Sequence, residues 1–182
     1  MTEPRENRRV RTTKRMMKEA LLELLEQQEL VNISVTAICE TADVHRSTFY
    51  KYYKDQADLL RDLEQDYLDQ VPLPMQAPGA TDEEEILVEA TAFFDYVKRN
   101  ERAFRVLLGE STSSSYAARL IDLLRSQYAG PTESDDAPYY YARLYMANGT
   151  VGMLREWVNT GFPTSSREMA EMMYAFSVRV AQ

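Results

Sequence analysis

The chain has 182 residues, a formal net charge of −8 and a single cysteine. This length allows one large domain, or a small domain joined to a larger one, with a core that needs no disulfide. One cysteine suits a reducing compartment. The segment "MTEPRENRRV" lacks the apolar stretch of a secretory signal, and no apolar run approaches the roughly 18 residues of a membrane span. We therefore expect a cytoplasmic protein with no membrane partner.

The cations are concentrated in two short segments. Residues 1–18 hold seven Lys or Arg against two Glu, and residues 46–54 hold three cations and no acid. Residues 19–45, between them, hold six acids and no Lys or Arg. Two basic patches on an acidic chain favour a localised anionic partner, and chance clustering of solvated charge is the alternative.

Apolar residues recur at three- and four-residue steps along most of the chain, and no segment alternates for long enough to form a strand. This spacing predicts an all-α fold of about nine helices, four short ones followed by five longer ones. The proline-rich segment 71–81 predicts a linker, and "TDEE" (81–84) and "SSRE" (165–168) predict capping boxes. The predicted helices are 13–28, 34–42, 46–52, 55–71, 82–99, 101–108, 114–128, 139–160 and 165–180.

The segment "RSTFYKYY" (46–53) combines aromatic rings with cations. On a helix, Phe49 and Tyr53 share one face, which we expect to pack on the preceding helix across a tight turn, as in a helix-turn-helix. Such an arrangement suits the DNA major groove, with Thr36 and the start of the fourth helix facing phosphates. A helical hairpin with solvated cations is the alternative. The outward face would carry donors and no acid: Arg46, Ser47, Tyr50 and Lys51.

One pattern of residues extends over positions 33–60. It consists of Thr36, Ile38-Cys39, the Asp43-Val44 turn, Thr48-Phe49-Tyr50, Tyr53 and Asp58-Leu59-Leu60. With this pattern the segment resembles the DNA-binding module of the TetR family of bacterial transcriptional regulators. Three positions depart from the family pattern. Asp43 replaces the usual Gly of the turn, His45 replaces a capping Ser, and Gln56 replaces a phosphate-binding Lys for which Lys54 can substitute.

The resemblance implies an N-terminal helix-turn-helix DNA-binding domain over residues 1–56, with a basic arm at 1–12. Residues 57–182 would form an effector-binding and dimerisation domain. Thr36, Tyr50 and Lys54 would contact phosphates of a palindromic double-stranded operator. His45 either caps or flanks the helix or contacts DNA. The complete set of expected DNA contacts is Thr36, His45, Arg46, Ser47, Thr48, Tyr50, Lys51 and Lys54, of which Arg46, Ser47 and Thr48 would lie nearest the base edges.

Residues 139–176 resemble the C-terminal region of a TetR subgroup in which the last two helices pair with those of a second subunit. The resemblance implies a homodimer with interface residues Gly149, Gly152, Met169, Met172, Met173 and Phe176. The resemblance also implies an effector pocket among the middle helices, although aromatic residues at helical spacing more often belong to the hydrophobic core. The candidate effector contacts are Phe93, Phe94, Phe104, Tyr116, Tyr145, Met153 and Trp157.

These features predict a dimeric repressor that a small-molecule effector releases from its operator. One histidine, one cysteine and the lack of a Gly-rich phosphate loop argue against an enzyme, a metal site or a cofactor. A TetR-like coregulator that acts mainly through another protein is the alternative. Gln56 and the acidic net charge keep that alternative open.

Overall fold

The computed structural model describes residues 8–72, 82–109, 115–127 and 137–180. Over these residues the chain is helical and contains no strand, so the predicted all-α fold is confirmed. None of the described helices has both the length and the hydropathy of a membrane span. The helices are α1 (Arg8–Leu25), α2 (Val35–Thr41), α3 (Arg46–Tyr52), α4 (Gln56–Asp69), α5 (Glu83–Arg99), α6 (Glu101–Leu107), α7 (Tyr116–Gln127), α8 (Ala137–Asn159) and α9 (Ser166–Val180), with a short 3-10 turn at Leu30–Asn32.

The described residues fall into two compact units. The N-terminal unit runs to Tyr67, and the C-terminal unit comprises Leu68 to Gly109 and the residues from Ser115 onwards. Helix α4 continues from one unit into the other, and the domain boundary at residues 56/57 stays a prediction. The first seven residues of the basic arm, most of the predicted linker (73–81) and most of the loop before α8 (128–136) lie outside the described residues.

In the N-terminal unit, α1 packs on α2 and α2 packs on α3. Ile38 and Phe49 are fully buried between these elements, and Ala42 is 5% exposed. Asp43 adopts φ 52°, the left-handed conformation that the predicted turn requires, and Asp is one of the few residues that tolerate it. The helix-turn-helix core expected from the spacing of Phe49 and Tyr53 is therefore present.

Four polar side chains link three helices of this unit. We call them the Lys18 cluster, and they are Lys18 of α1, Tyr53 at the end of α3, and Asp62 and Asp66 of α4. The ammonium of Lys18 lies 2.9 Å from the Asp62 carboxylate and 2.5 Å from that of Asp66. The Tyr53 hydroxyl donates to the same Asp62 oxygen over 2.6 Å. Because Lys18 is only 7% exposed, its charge needs these partners.

The C-terminal unit is built on contacts of α5 with α9 and of α7 with α8. Edge-to-face rings fill its centre, with Phe94 5.6 Å from Trp157 and Phe104 5.7 Å from Tyr116. Outside this core, Arg167 of α9 holds Glu84 of α5 through two bonds of 2.9 and 2.8 Å. The rings therefore join α5 to α8 and α6 to α7, and the ion pair joins α9 to α5.

The turn between α8 and α9 contains two consecutive residues in the left-handed region. Gly161 has φ 77°, which glycine adopts readily, and Phe162 has φ 59°. This conformation is strained for an aromatic residue. Packing accompanies it, since the Phe162 ring lies 4.7 Å from Trp157, whose indole N–H donates to the Thr164 carbonyl over 3.1 Å.

The predicted start and end of α1 are wrong, and so is the predicted cap of α5. Helix α1 begins at Arg8 instead of residue 13, and near this start the hydroxyls of Thr12 and Thr13 donate to the Arg8 and Arg9 carbonyls one turn earlier. It ends at Leu25 instead of residue 28. The cap of α5 is Asp82, whose carboxylate accepts from the Glu84 N–H over 3.0 Å, and Thr81 lies outside the described residues.

The capping box predicted before α9 is confirmed and gives a stability test. The Ser165 hydroxyl accepts from the Glu168 N–H, and the Glu168 carboxylate accepts from the Ser165 N–H over 2.7 Å. Ser165→Ala should lower the free energy of unfolding by about 0.5–2 kcal/mol, measured by urea denaturation. The control is Ser126→Ala in α7, whose hydroxyl donates to the Leu123 carbonyl of its own helix turn. Equal stabilities of the two variants would contradict the assigned cap.

The Lys18 cluster predicts a specific dependence of stability on pH. Burial raises the pKa of Asp62, but the hydrogen bonds from Tyr53 and Lys18 outweigh burial and hold this pKa below its usual value. The ionised Asp62 carboxylate therefore contributes its full stabilisation of the fold above the unfolded-state pKa of about 3.9. This stabilisation is lost as the pH falls through the lower pKa of the folded state. Asp62→Asn should cost stability at neutral pH, and its difference from wild type should shrink in acid.

Urea denaturation at a series of pH values from about 7 to about 2 measures this dependence. The matched control is Asp122→Asn, which removes an exposed carboxylate paired only with its helix neighbour Arg125. That variant should differ little from wild type at every pH. A constant deficit for Asp62→Asn across the series would show that its charge does not stabilise the fold.

Candidate nucleic-acid interface

Helix α3 has one buried face and one exposed face, as its sequence predicts. Phe49 is fully buried and Tyr53 is 5% exposed, whereas Tyr50 is 52% exposed. Thr48 is half-buried between the two faces. The exposed face presents hydrogen-bond donors and no carboxylate, and its members are Arg46, Ser47, Tyr50 and Lys51.

The two long cations of α3 lie along neighbouring rings. The guanidinium carbon of Arg46 is 5.9 Å from the Tyr50 ring centre, and one guanidinium nitrogen is 3.5 Å from the Tyr50 hydroxyl. This hydroxyl is the main reason that the pKa of Arg46 is raised, so the side chain stays charged. Lys51 lies 5.5 Å from the ring centre of Tyr52. Both contacts place positive charge on the exposed side of the helix.

The residues before α3 are also exposed. Ser34 caps α2 by accepting from the Ala37 N–H over 3.1 Å, which leaves Thr36 exposed in the first turn. His45 occupies the cap position of α3 and is exposed, but its side chain makes no capping bond. The His45 side chain therefore flanks the start of α3 and accepts no hydrogen bond from its first backbone N–H groups.

The start of α4 differs from the open phosphate site that the sequence predicts. Asp55 accepts from the Asp58 N–H over 2.8 Å, and Asp58 accepts from the Lys54 N–H over 3.0 Å. The bond from Lys54 is the main reason that the pKa of Asp58 is lowered. These two carboxylates occupy donors that a phosphate would need and repel a second anion. At this end of α4, the exposed ammonium of Lys54 is a better phosphate ligand than the backbone.

The seven predicted effector contacts separate into two groups. Five are core residues that are at most 3% exposed: Phe93, Phe94, Phe104, Tyr116 and Trp157. Tyr145 is 68% exposed, and Met153 is half-buried. Tyr145 and Met153 line a groove of about 240 Å³ between α8 and α9, together with Met146, Gly149, Thr150, Met173, Phe176 and Ser177.

Three of the six predicted dimer residues, Gly149, Met173 and Phe176, line the same groove. Phe176 is 50% exposed and Met172 is 36% exposed, whereas Met169 is buried. Gly149 and Gly152 lie exposed on α8. Apart from their chain neighbours and the nearby backbone of α8, no atom of the described residues lies within 4 Å of the position that a Cβ would take. Packing among the described residues therefore does not require glycine at either position.

Sequence reasoning missed the Lys18 cluster. Two signals could have indicated it. A buried tyrosine hydroxyl needs a partner, and Tyr53 was expected to be buried. Lys18 also lies next to Met17 and Leu21 on the apolar side of α1, where an unpaired lysine is rarely found.

No group of His, Cys, Asp and Glu side chains within the described ranges has the arrangement of a metal site. The one cysteine, Cys39, is buried in α2, and burial is the main cause of its raised pKa. A buried thiol with a raised pKa is a poor nucleophile.

The fold is shared with solved transcriptional regulators. A TetR-family regulator from Syntrophomonas wolfei is 18% identical, with a TM-score of 0.66, over 94% of this chain and 95% of its own. NalD, the secondary repressor of the MexAB-OprM multidrug efflux pump in Pseudomonas aeruginosa, is 15% identical, with a TM-score of 0.67, over 96% and 98%. DhaS, a dihydroxyacetone kinase operon activator, is 15% identical, with a TM-score of 0.62, over 92% and 94%. At these identities the likeness establishes the fold.

No curated protein matches the chain in sequence. A TetR family model, described as a transcriptional regulator C-terminal region, matches residues 84–178, which is just over half of the chain. Proteins of this kind are transcriptional regulators and not enzymes, which confirms the predicted class. The chain belongs to the TetR family of transcriptional regulators.

Proposed function

We propose that the protein is a homodimeric repressor that binds palindromic operator DNA through α3 and leaves it when a small-molecule effector binds. The exposed face of α3 carries this proposal, because it combines Arg46, Ser47, Tyr50 and Lys51 with no acidic side chain. A short helix with this surface fits the major groove, where donors meet the acceptor atoms of guanine and the phosphates on either side.

The proposed contacts divide by position. Arg46, Ser47 and Thr48, in the first turn of α3, would read base edges, and Arg46 can bond both acceptors of a guanine. Tyr50, Lys51 and Lys54 would bind phosphates, as would Thr36 from α2, and His45 would contact DNA beside the start of α3. The exposed Arg8, Arg9 and Arg11 at the start of α1 supply further positive charge, which favours the same anionic partner.

Dimerisation through α8 and α9 is the second element of the proposal. Tyr145, Phe176 and Met172 leave an apolar surface around the groove, and a water-soluble monomer gains by covering such a surface. Gly149 and Gly152 leave room above α8 for a second helix. Two copies would place two α3 helices on half-sites about one DNA turn apart, roughly 34–36 Å.

Effector binding is the third element. The rings of Phe93, Phe94, Phe104, Tyr116 and Trp157 pack on one another, so a ligand that reached them would have to open this packing. The protein would then bind its effector only in a minor, opened conformation, and binding would shift the population towards that state. Residues 57–182, which follow the proposed DNA-binding domain of residues 1–56, would hold this site.

Repression is the direction of regulation that we propose. NalD, which shares the fold, is a repressor, whereas DhaS is an activator, so the fold permits either direction. A reporter gene downstream of the selected DNA site measures the sign. Reporter output that falls when the protein is expressed supports repression, and output that rises assigns activation.

DNA binding is tested by selecting duplexes from a random-sequence library and measuring fluorescence anisotropy. Arg46→Ala should weaken binding to the selected duplex by about 1–3 kcal/mol and relax the sequence preference at one base pair. Lys54→Ala should weaken binding to all duplexes by a similar factor and reduce the slope of log affinity against log salt concentration by about 1. Arg125→Ala, in the C-terminal unit, is the charge-matched control. Failure of the wild-type protein to enrich any sequence would contradict DNA binding as its main role.

The dimer is tested by placing a charge in the groove. Phe176→Glu should shift the protein towards monomer, because it buries an unpaired carboxylate in the proposed interface, and sedimentation velocity measures the shift. Val88→Glu is the matched control, since Val88 is a 57% exposed apolar residue of α5. A wild-type protein that sediments as a monomer, or a Phe176→Glu variant that remains dimeric, would refute this interface.

A further inference from the structure

We propose that the Lys18 cluster positions α3 for DNA binding. The inference rests on the proposed function, because it concerns how strongly the protein binds DNA. It assigns a role in DNA affinity to three side chains that do not form the DNA-facing surface: Lys18, Tyr53 and Asp62.

Tyr53 is attached firmly to the end of α3. Its N–H donates to the Phe49 carbonyl over 2.9 Å, and its ring lies 5.8 Å from the Phe49 ring. Phe49 is fully buried, so the last turn of α3 and the Tyr53 ring form one packed body. A displacement of the Tyr53 hydroxyl therefore displaces the helix that carries Arg46 and Tyr50.

Asp62 holds this hydroxyl from α4. The bond is 2.6 Å long, and its acceptor is a carboxylate, which makes it stronger and more directional than a bond between neutral groups. Lys18 approaches the same carboxylate oxygen within 2.9 Å and donates to the Asp62 backbone carbonyl over 3.2 Å. Lys18 of α1 thus fixes the position of Asp62, and the bond from the Tyr53 hydroxyl makes the position of α3 depend on that of Asp62.

The cluster has no means of touching DNA directly. Tyr53 is 5% exposed and Lys18 is 7% exposed, and the Asp62 carboxylate would repel a phosphate. Any effect of these side chains on DNA affinity must therefore act through the placement of α3. A role in stability alone would instead change the unfolding free energy and leave the affinity of the folded protein unchanged.

The experiment compares Tyr53→Phe and Asp62→Asn with Tyr52→Phe. The control also removes one hydroxyl from an aromatic ring next to Tyr53, but that ring lies beside Lys51. Hydrogen exchange of the amides of α3 is measured first, without DNA. Exchange at residues 49–53 should rise in Tyr53→Phe and Asp62→Asn, stay at the wild-type level in Tyr52→Phe, and remain unchanged in α5 to α9 for every variant.

DNA affinity is measured second, on the duplex that the wild-type protein selects from a random library. Tyr53→Phe and Asp62→Asn should bind roughly three- to tenfold more weakly, which corresponds to the net contribution of a typical hydrogen bond, about 0.5–1.5 kcal/mol. Their salt dependence should keep the wild-type slope, because no phosphate contact is lost, whereas Lys54→Ala should reduce it by about 1.

Each result supports or overturns the inference. Wild-type exchange of α3 in both variants would overturn it, whether or not the protein binds DNA. Faster exchange with wild-type DNA affinity would limit the cluster to stability, and a reduced salt slope for Tyr53→Phe would make Tyr53 a direct contact. A wild-type protein that selects no DNA would refute the proposed function, while the exchange data would still decide whether the cluster holds α3.

Discussion

The bond between the Tyr53 hydroxyl and the Asp62 carboxylate is the constraint on which the arrangement of the N-terminal unit depends. Apolar packing buries Phe49 but is tolerant of small rotations, because contacts between rings and aliphatic groups have little directionality. The Tyr53 bond is directional, and Lys18 fixes its acceptor. Packing therefore holds α3 against the unit, and the polar cluster determines its angle.

The same division explains why rings and cations share one short segment. A seven-residue helix has too few turns to be stable alone, so one face must supply buried surface. Phe49 and Tyr53 supply it. The rings of the other two tyrosines contact cations instead. Tyr50 lies beside Arg46, and Tyr52 lies beside Lys51. Four neighbouring rings thus have two physical roles, separated by the helical period.

The sequence predicts features that depend on local chemistry. The spacing of Phe49 and Tyr53, the left-handed turn at Asp43 and the cap at Ser165 involve residues within a few positions, and the structure has all three. The Lys18 cluster was not predictable in this way. Asp62 and Asp66 lie 44 and 48 residues after Lys18 in the sequence, and several other acids of α4 were equally available as partners. The strained Phe162 was missed for a similar reason, since its conformation accompanies packing on Trp157.

Predictions about the C-terminal unit met a different difficulty. An aromatic residue at helical spacing looks the same in sequence whether it fills a core, lines a pocket or covers an interface. Burial divides the candidates: Phe94 and Trp157 are core, whereas Tyr145 and Phe176 border one exposed groove. Residues expected for two separate roles therefore meet on a single surface, and only three-dimensional placement could bring them together.

The acidic composition of the chain is compatible with a cationic surface on α3 because several acids of α4 are paired. Asp62 and Asp66 bind Lys18, and Asp58 binds a backbone N–H and Arg61. Charges paired at such distances largely cancel beyond a Debye length of about 8–10 Å. The cations of α3 have no such carboxylate partners on their own face, so their field extends into solvent. An anionic partner would respond to this local charge, and the net charge of −8 describes only the average over the chain.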